Sequence, residues 1–192
     1  MDLRKYSKYL YSHLEKIDNT KVEELSELIF AAYKNEKMIF IIGNGGSAAN
    51  ASHFAQDLAK GTRFKNNQKK FIKALSLTDN LPFLSAVGND DGYENVFSEQ
   101  LKTFASSGDL VIAVSGSGNS PNIIKAIEWA NTNDLTTIGI TGYDGGKLAK
   151  INKFNLHTEL NDMCTVESIH SIIFHYLIID LKNKIEVDLS AQ

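Results

Sequence analysis

The chain has 192 residues, 43% apolar and 22% charged, with a formal net charge of -3 and one cysteine. That length suits one domain with a sizeable core, and the composition is that of an ordinary globular protein. It excludes a basic nucleic-acid footprint, an internal disulfide and a Cys-rich metal site.

Behind Met1-Asp2-Leu3-Arg4-Lys5 there is no apolar segment of signal-peptide type. No uninterrupted run approaches the roughly 18 apolar residues that cross a bilayer. The expectation is therefore a cytoplasmic protein, with neither membrane nor nucleic acid among its partners. Leu10, Leu14 and Ile17, then Val22, Leu25, Leu28 and Ile29, recur at helical spacing. They predict two helices within residues 3–35. Asn19-Thr20 ahead of Glu23-Glu24 marks a helix start, which places a break near Asp18.

Residues 38–42 form an unbroken apolar run that stops at Gly43-Asn44-Gly45-Gly46-Ser47, and an amphipathic stretch with His53 and Asp57 follows. Strand, glycine-rich turn and helix in that order bring free backbone N–H groups and a positive helix end to one point, which favours an anion such as phosphate. A basic loop over 60–70 leads to a second strand at 71–77. A short helix capped by 78–80 runs to about 87, a turn covers 88–92, and another helix runs over 93–105. Residues 110–114 are the third strand. Ser115-Gly116-Ser117-Gly118-Asn119-Ser120 then repeats the strand-end turn, and Pro121 opens a helix over 122–131. A fourth strand at 136–141, a turn and short helix over 142–150, a fifth strand at 154–158 and a last helix over 165–184 complete the pattern.

Strands alternating with helices predict a three-layer α/β/α sandwich around a five-stranded parallel sheet. Its ligands belong at the carboxyl ends of the strands, where both turns lie. Ser47, Ser115, Ser117 and Ser120, with the relaxed backbone at Asn44, Gly45 and Gly116, are suited to ringing a phosphate. No Walker loop and no Gly-x-Gly-x-x-Gly fingerprint follows a strand, so a phosphorylated sugar ranks above a nucleotide. His53 and Asp57 share one helix face, and Glu167, His170 and His175 lie on the last helix. Two readings are open for them: proton transfer beside a carbonyl, or a divalent ion held by imidazoles and carboxylates. Asp90, in Gly88-Asn89-Asp90-Asp91-Gly92, suits sugar hydroxyls or a turn. The last helix is apolar on much of its circumference, which predicts burial or a subunit interface.

Taken together, Gly43-Asn44-Gly45-Gly46-Ser47, His53-Phe54-Ala55, Gly88-Asn89-Asp90, Ser115-Gly116-Ser117-Gly118-Asn119-Ser120 and Thr141-Gly142-Tyr143-Asp144-Gly145-Gly146-Lys147 resemble the sedoheptulose 7-phosphate isomerases, or phosphoheptose isomerases, of the sugar isomerase (SIS) fold. The resemblance runs from the first helices to the last. It implies one flavodoxin-like SIS domain over 1–192, with N-terminal helices in 1–35 and the α/β core in 36–192. It also implies a cytoplasmic homotetramer with active sites at subunit interfaces, and an aldose-ketose isomerisation that supplies heptose for bacterial surface polysaccharide such as lipopolysaccharide or capsule. On that resemblance Ser47, Ser115, Ser117 and Ser120 hold the phosphate, Asp57 is the base and His175 the second catalytic residue. A zinc ion is expected on His53, Asp57, Glu167 and His175.

Two residues depart from the family: Asp57 replaces a glutamate, and Glu167 replaces the usual glutamine. The added charge favours a bound cation over a bare pair of carboxylates. Residues 162–168 also differ from the usual segment, which leaves two alternatives standing: another sugar phosphate as substrate, or a non-catalytic SIS protein that binds a sugar phosphate or a replication initiator.

Overall fold

The computed structural model describes residues 1–64 and 68–191. Helices α1 (Leu3–Leu14) and α2 (Asn19–Lys34) come first. They break at Asp18, whose carboxylate accepts from the Thr20 amide at 2.9 Å and so satisfies a free donor of the helix start. α1 buries nothing, whereas α2 buries Val22, Leu25, Ile29 and Tyr33.

Strands β1 (Met38–Gly43), β2 (Lys73–Ser76), β3 (Leu110–Ser115), β4 (Thr136–Thr141) and β5 (Phe154–His157) form one sheet in the order β2-β1-β3-β4-β5. Every neighbouring pair is parallel, as the expected five-stranded sheet requires. Because side chains alternate across a strand, β1 sends Ile39 and Ile41 to one face and Phe40 and Ile42 to the other. Both faces are covered by helices, and for that reason the strands read as continuous apolar runs. Helices α2, α3 (Gly45–Gln56) and α8 (Met163–Ser190) cover the first face, where Phe54 stacks on Phe174 with centroids 4.2 Å apart. Helices α5 (Ser98–Phe104) and α6 (Pro121–Thr132) cover the second, with α4 (Leu81–Asp90) beside them and α7 (Leu148–Ile151) near its end.

Several boundaries differ from the expectation. β2 is shorter than 71–77, since it is an edge strand paired only with β1 and leaves Phe71 exposed. Of the basic loop, residues 65–67 lie outside the described residues. α4 runs through Gly88 to Asp90: one helical glycine costs only about 1 kcal/mol, and the chain turns instead at Gly92, with φ +94°. Residues 93–105 divide into a 3₁₀ turn at Tyr93–Asn95 and α5.

α8 is longer than 165–184 because its cap is Asp162, whose carboxylate accepts from the Thr165 hydroxyl at 2.6 Å. At the other end it continues past Lys184 because Ile185 is fully buried and Lys184 is held by Asp180 and Glu27, each at 2.9 Å. α8 is long enough to cross a membrane, and one 18-residue window reaches a mean hydropathy of 1.3. Its Ile169, Ile173, Leu177 and Leu181 are packed inside the fold, as in the core helix of an α/β protein.

Candidate active site

The strand order reverses between β1 and β3, and the two glycine and serine turns flank that crevice. Gly43 ends β1, pairing with Val114, and Ser115 ends β3, pairing with Thr141. A methyl group at Gly43 would stand 2.6 Å from the Ser47 carbonyl, so only glycine lets the chain enter α3 directly. The helix begins inside the expected turn, at Gly45, and its first amides therefore face the crevice.

The two turns are tied together by a side-chain pair. Asn44 Nδ2 donates to Asn122 Oδ1, and Asn122 Nδ2 donates back to Asn44 Oδ1, both at 2.9 Å. Tyr93 adds its hydroxyl to Asn44 Oδ1 at 3.1 Å. The serine turn is braced from behind by residues 142–148. The Gly142 amide donates to Gly116 O, the Leu148 amide to Gly118 O, and the Lys147 amide to Asn119 Oδ1, each at 2.9 Å.

These elements enclose a cavity of about 200 Å³ lined by the predicted Ser47, Ser115, Gly116, Ser117 and Ser120, with Asn44 and Glu167 on the same wall. Val114, Tyr143, Met163 and Val166 complete it. Four hydroxyls and a helix N-terminus around one small volume are chemically suited to a tetrahedral oxyanion. Tyr143 holds a left-handed backbone at φ +52°, rare for an aromatic residue, and its ring packs on Gly116. Tyr143, Asn122 and Tyr93 are site residues that sequence reasoning missed. Gly45 starts α3 without lining the cavity, and Asp90 is exposed at the end of α4, where Asn89 Nδ2 donates to it at 2.7 Å.

A second cluster lies where α3 and α8 meet. His53 Nε2 is 3.3 Å and His175 Nε2 3.8 Å from Asp57 Oδ2, and the two imidazoles meet edge to face at 5.0 Å. Asp57 opens a π-helical turn, Asp57–Gly61, that ends α3, a widening common at functional sites. The Phe54 and Phe174 stack sits beside it and sets the spacing of the two helices. His53, Asp57 and His175 are the acidic and imidazole groups brought within 4.8 Å of one another among the described residues. Glu167 is not in that group, and its carboxylate lies over Gly46 in the serine-lined cavity.

His170 points the other way. It is fully buried, its Nε2 lies 3.3 Å from the Thr141 carbonyl, and its Nδ1 has no partner. Burial pulls its pKa down to about 4, with smaller opposing and assisting effects from the Thr141 carbonyl and His157. It is a neutral packing residue under the end of β4.

The class that this fold and site define is that of SIS-domain proteins, whose family model matches residues 4–142. The phosphoheptose isomerase of Aliarcobacter butzleri is 40% identical over 154 residues, 80% of each chain. That of Sulfurimonas denitrificans is 40% identical over 82% of this chain and 79% of its own. The solved phosphoheptose isomerase GmhA of Neisseria gonorrhoeae superposes with a TM-score of 0.84 at 31% identity, covering 93% of this chain and 94% of that one. The chain belongs to the phosphoheptose isomerase family of SIS-domain proteins, a family of phosphosugar isomerases.

Proposed function

We propose that the protein interconverts sedoheptulose 7-phosphate and D-glycero-D-manno-heptose 7-phosphate. The observation that carries this reading is the four-serine cavity at the head of α3, with His53, Asp57 and His175 further along the same helix pair. The serines and the first amides of α3 would hold the phosphate, which leaves the sugar chain to extend toward the cluster.

Asp57 is assigned the carbon-bound proton. Its carboxylate removes a proton from C1 of the ketose, giving an enediol, and returns it to C2 to give the aldose. Both imidazoles face Oδ2, which leaves Oδ1 to carry that proton. His175 moves the hydroxyl proton between O2 and O1 and assists ring opening.

The cluster also fits a divalent ion. Ligand atoms around a tetrahedral zinc stand roughly 3.3 Å apart, and Asp57 Oδ2 lies 3.3 and 3.8 Å from the two imidazole nitrogens. His53, Asp57 and His175 would hold it, with Glu167 the expected fourth ligand, and such an ion would polarise the carbonyl and stabilise charge on its oxygen.

We further propose a homotetramer whose subunits close these sites, working in the cytoplasm on the heptose branch of surface polysaccharide synthesis. Support for the assembly comes from Ile172, Tyr176 and Ile179, an exposed stripe on α8 beside His175.

Incubation with sedoheptulose 7-phosphate, followed by NMR, should show the heptose phosphate accumulating. Asp57→Ala and His175→Ala should each lower kcat by about 10²–10⁴-fold. No turnover by the wild type supplied with zinc would reject the assignment, and a panel of other ketose phosphates would then locate the substrate.

A further inference from the structure

Asn122 is buried in the first turn of α6, and we propose that it is a positioning residue: its side-chain amide holds Asn44 away from the start of α3, so that the first amides of that helix stay open to the phosphate of the substrate. The inference rests on the phosphate reading of the cavity given above.

Asn44 occupies the N-cap of α3, in the extended backbone that capping uses, with φ -119° and ψ 149°. An asparagine there ordinarily accepts a hydrogen bond from the second or third amide of its helix, here that of Gly46 or Ser47. Asp2, Asp18 and Asp162 do so for α1, α2 and α8. The Asn44 side chain accepts from no amide of α3.

Its oxygen is already taken. A carbonyl oxygen offers two lone pairs, and Asn44 Oδ1 accepts from Asn122 Nδ2 at 2.9 Å and from the Tyr93 hydroxyl at 3.1 Å. In return Asn44 Nδ2 donates to Asn122 Oδ1 at 2.9 Å, and the Ile123 amide donates to the same oxygen at 3.0 Å. That last bond fixes which end of the Asn122 amide is oxygen, and with it the way Asn44 faces. Asn122 is 1% exposed, so an unpaired amide there would cost the desolvation of its polar atoms.

A helix start left uncapped loses stability in the empty protein and recovers it when its amides meet an anion. The open start of α3 lies at Ser47, which lines the cavity with Ser115 and Ser117. Without Asn122, the Asn44 oxygen would turn to the Gly46 and Ser47 amides and compete with the ligand for them.

Asn122→Ala releases Asn44. Calorimetric titration with inorganic phosphate should show this variant binding about fivefold more weakly than wild type, the size of one cap hydrogen bond, and KM for the sugar phosphate should rise more than kcat falls. Adding Asn44→Gly, which removes the competing oxygen and is itself tolerated at an N-cap, should restore most of the phosphate affinity. Without ligand, amide hydrogen exchange at Gly46 and Ser47 should slow in the single variant and not in the double, a change that loosened turns alone would not produce. If Asn122→Ala does not fold, Asn122→Asp keeps both accepted hydrogen bonds but cannot donate to Asn44, and comparison with its own Asn44→Gly double reads the same recovery. Unchanged phosphate affinity in the single variant, or an equal loss in single and double, would overturn the proposal while leaving the cavity reading intact. If the wild type bound no inorganic phosphate, and Ser115→Ala and Ser117→Ala left KM unchanged, the cavity reading itself would fall and the proposal with it.

Discussion

Among single residues, His170 carries a measurable cost of burial. Its pKa falls from 6.5 to about 4 because the charged imidazole would lose its water inside the fold. Between those two values the unfolded chain binds a proton that the folded chain does not. The stability contributed by the neutral histidine is thus complete above pH 6.5 and lost as pH falls toward 4, by about 3 kcal/mol over the interval. Denaturant midpoints at pH 7 and pH 4.5 should show a larger loss for the wild type than for His170→Gln, and equal losses would remove His170 as the cause. The sequence placed His170 beside Glu167 and His175 on one helix but could not show which faced inward. His53 and Asp57 were readable as a pair because four residues make one helical turn. Asn122 was not, since its partner Asn44 lies 78 positions away and one asparagine in a helix carries no signal of a distant amide.

At the level of elements, the strands were readable because a parallel sheet covered on both faces demands apolar runs such as 38–42 and 110–114. The turns were readable as glycine and serine punctuation. What braces them was not, because residues 142–150 read as a turn and short helix and, although 141–147 belong to the family motifs, only the fold brings them behind 115–120. Gly118 shows how tight that contact is: it holds φ +62°, and a methyl group on it would run into the Gly145 carbonyl. Gly118→Ala should lower stability by about 2–4 kcal/mol, combining left-handed strain with the collision. Chemical denaturation measures the loss, and a loss below about 0.5 kcal/mol would mean that the brace yields freely. Because Ser117 and Ser120 flank Gly118, the variant should also raise KM more than it lowers kcat.

For the whole molecule, the order β2-β1-β3-β4-β5 explains why the site is where it is, because it puts the two serine turns on either side of the one reversal in the sheet. The alternation of strands and helices made that arrangement readable, and it leaves the site open on one side. The side chains of His53 and His175 are 51% and 56% exposed, poor surroundings for proton transfer that must exclude bulk water. Beside them Ile172, Tyr176 and Ile179 expose apolar surface at positions i, i+4 and i+7 of α8, with Ile179 63% exposed. A monomer rarely leaves such a stripe in water. A second copy laid on α8 would cover both the stripe and the imidazoles, so assembly and activity should be lost together. Sedimentation should give a multiple of the protomer mass for the wild type, and Ile179→Asp, which touches neither the cavity nor the cluster, should shift it toward the protomer and lower kcat at least tenfold. Diluting the wild type through its dissociation range should reproduce the same loss. A monomeric Ile179→Asp variant with full turnover would show that one protomer holds a complete site.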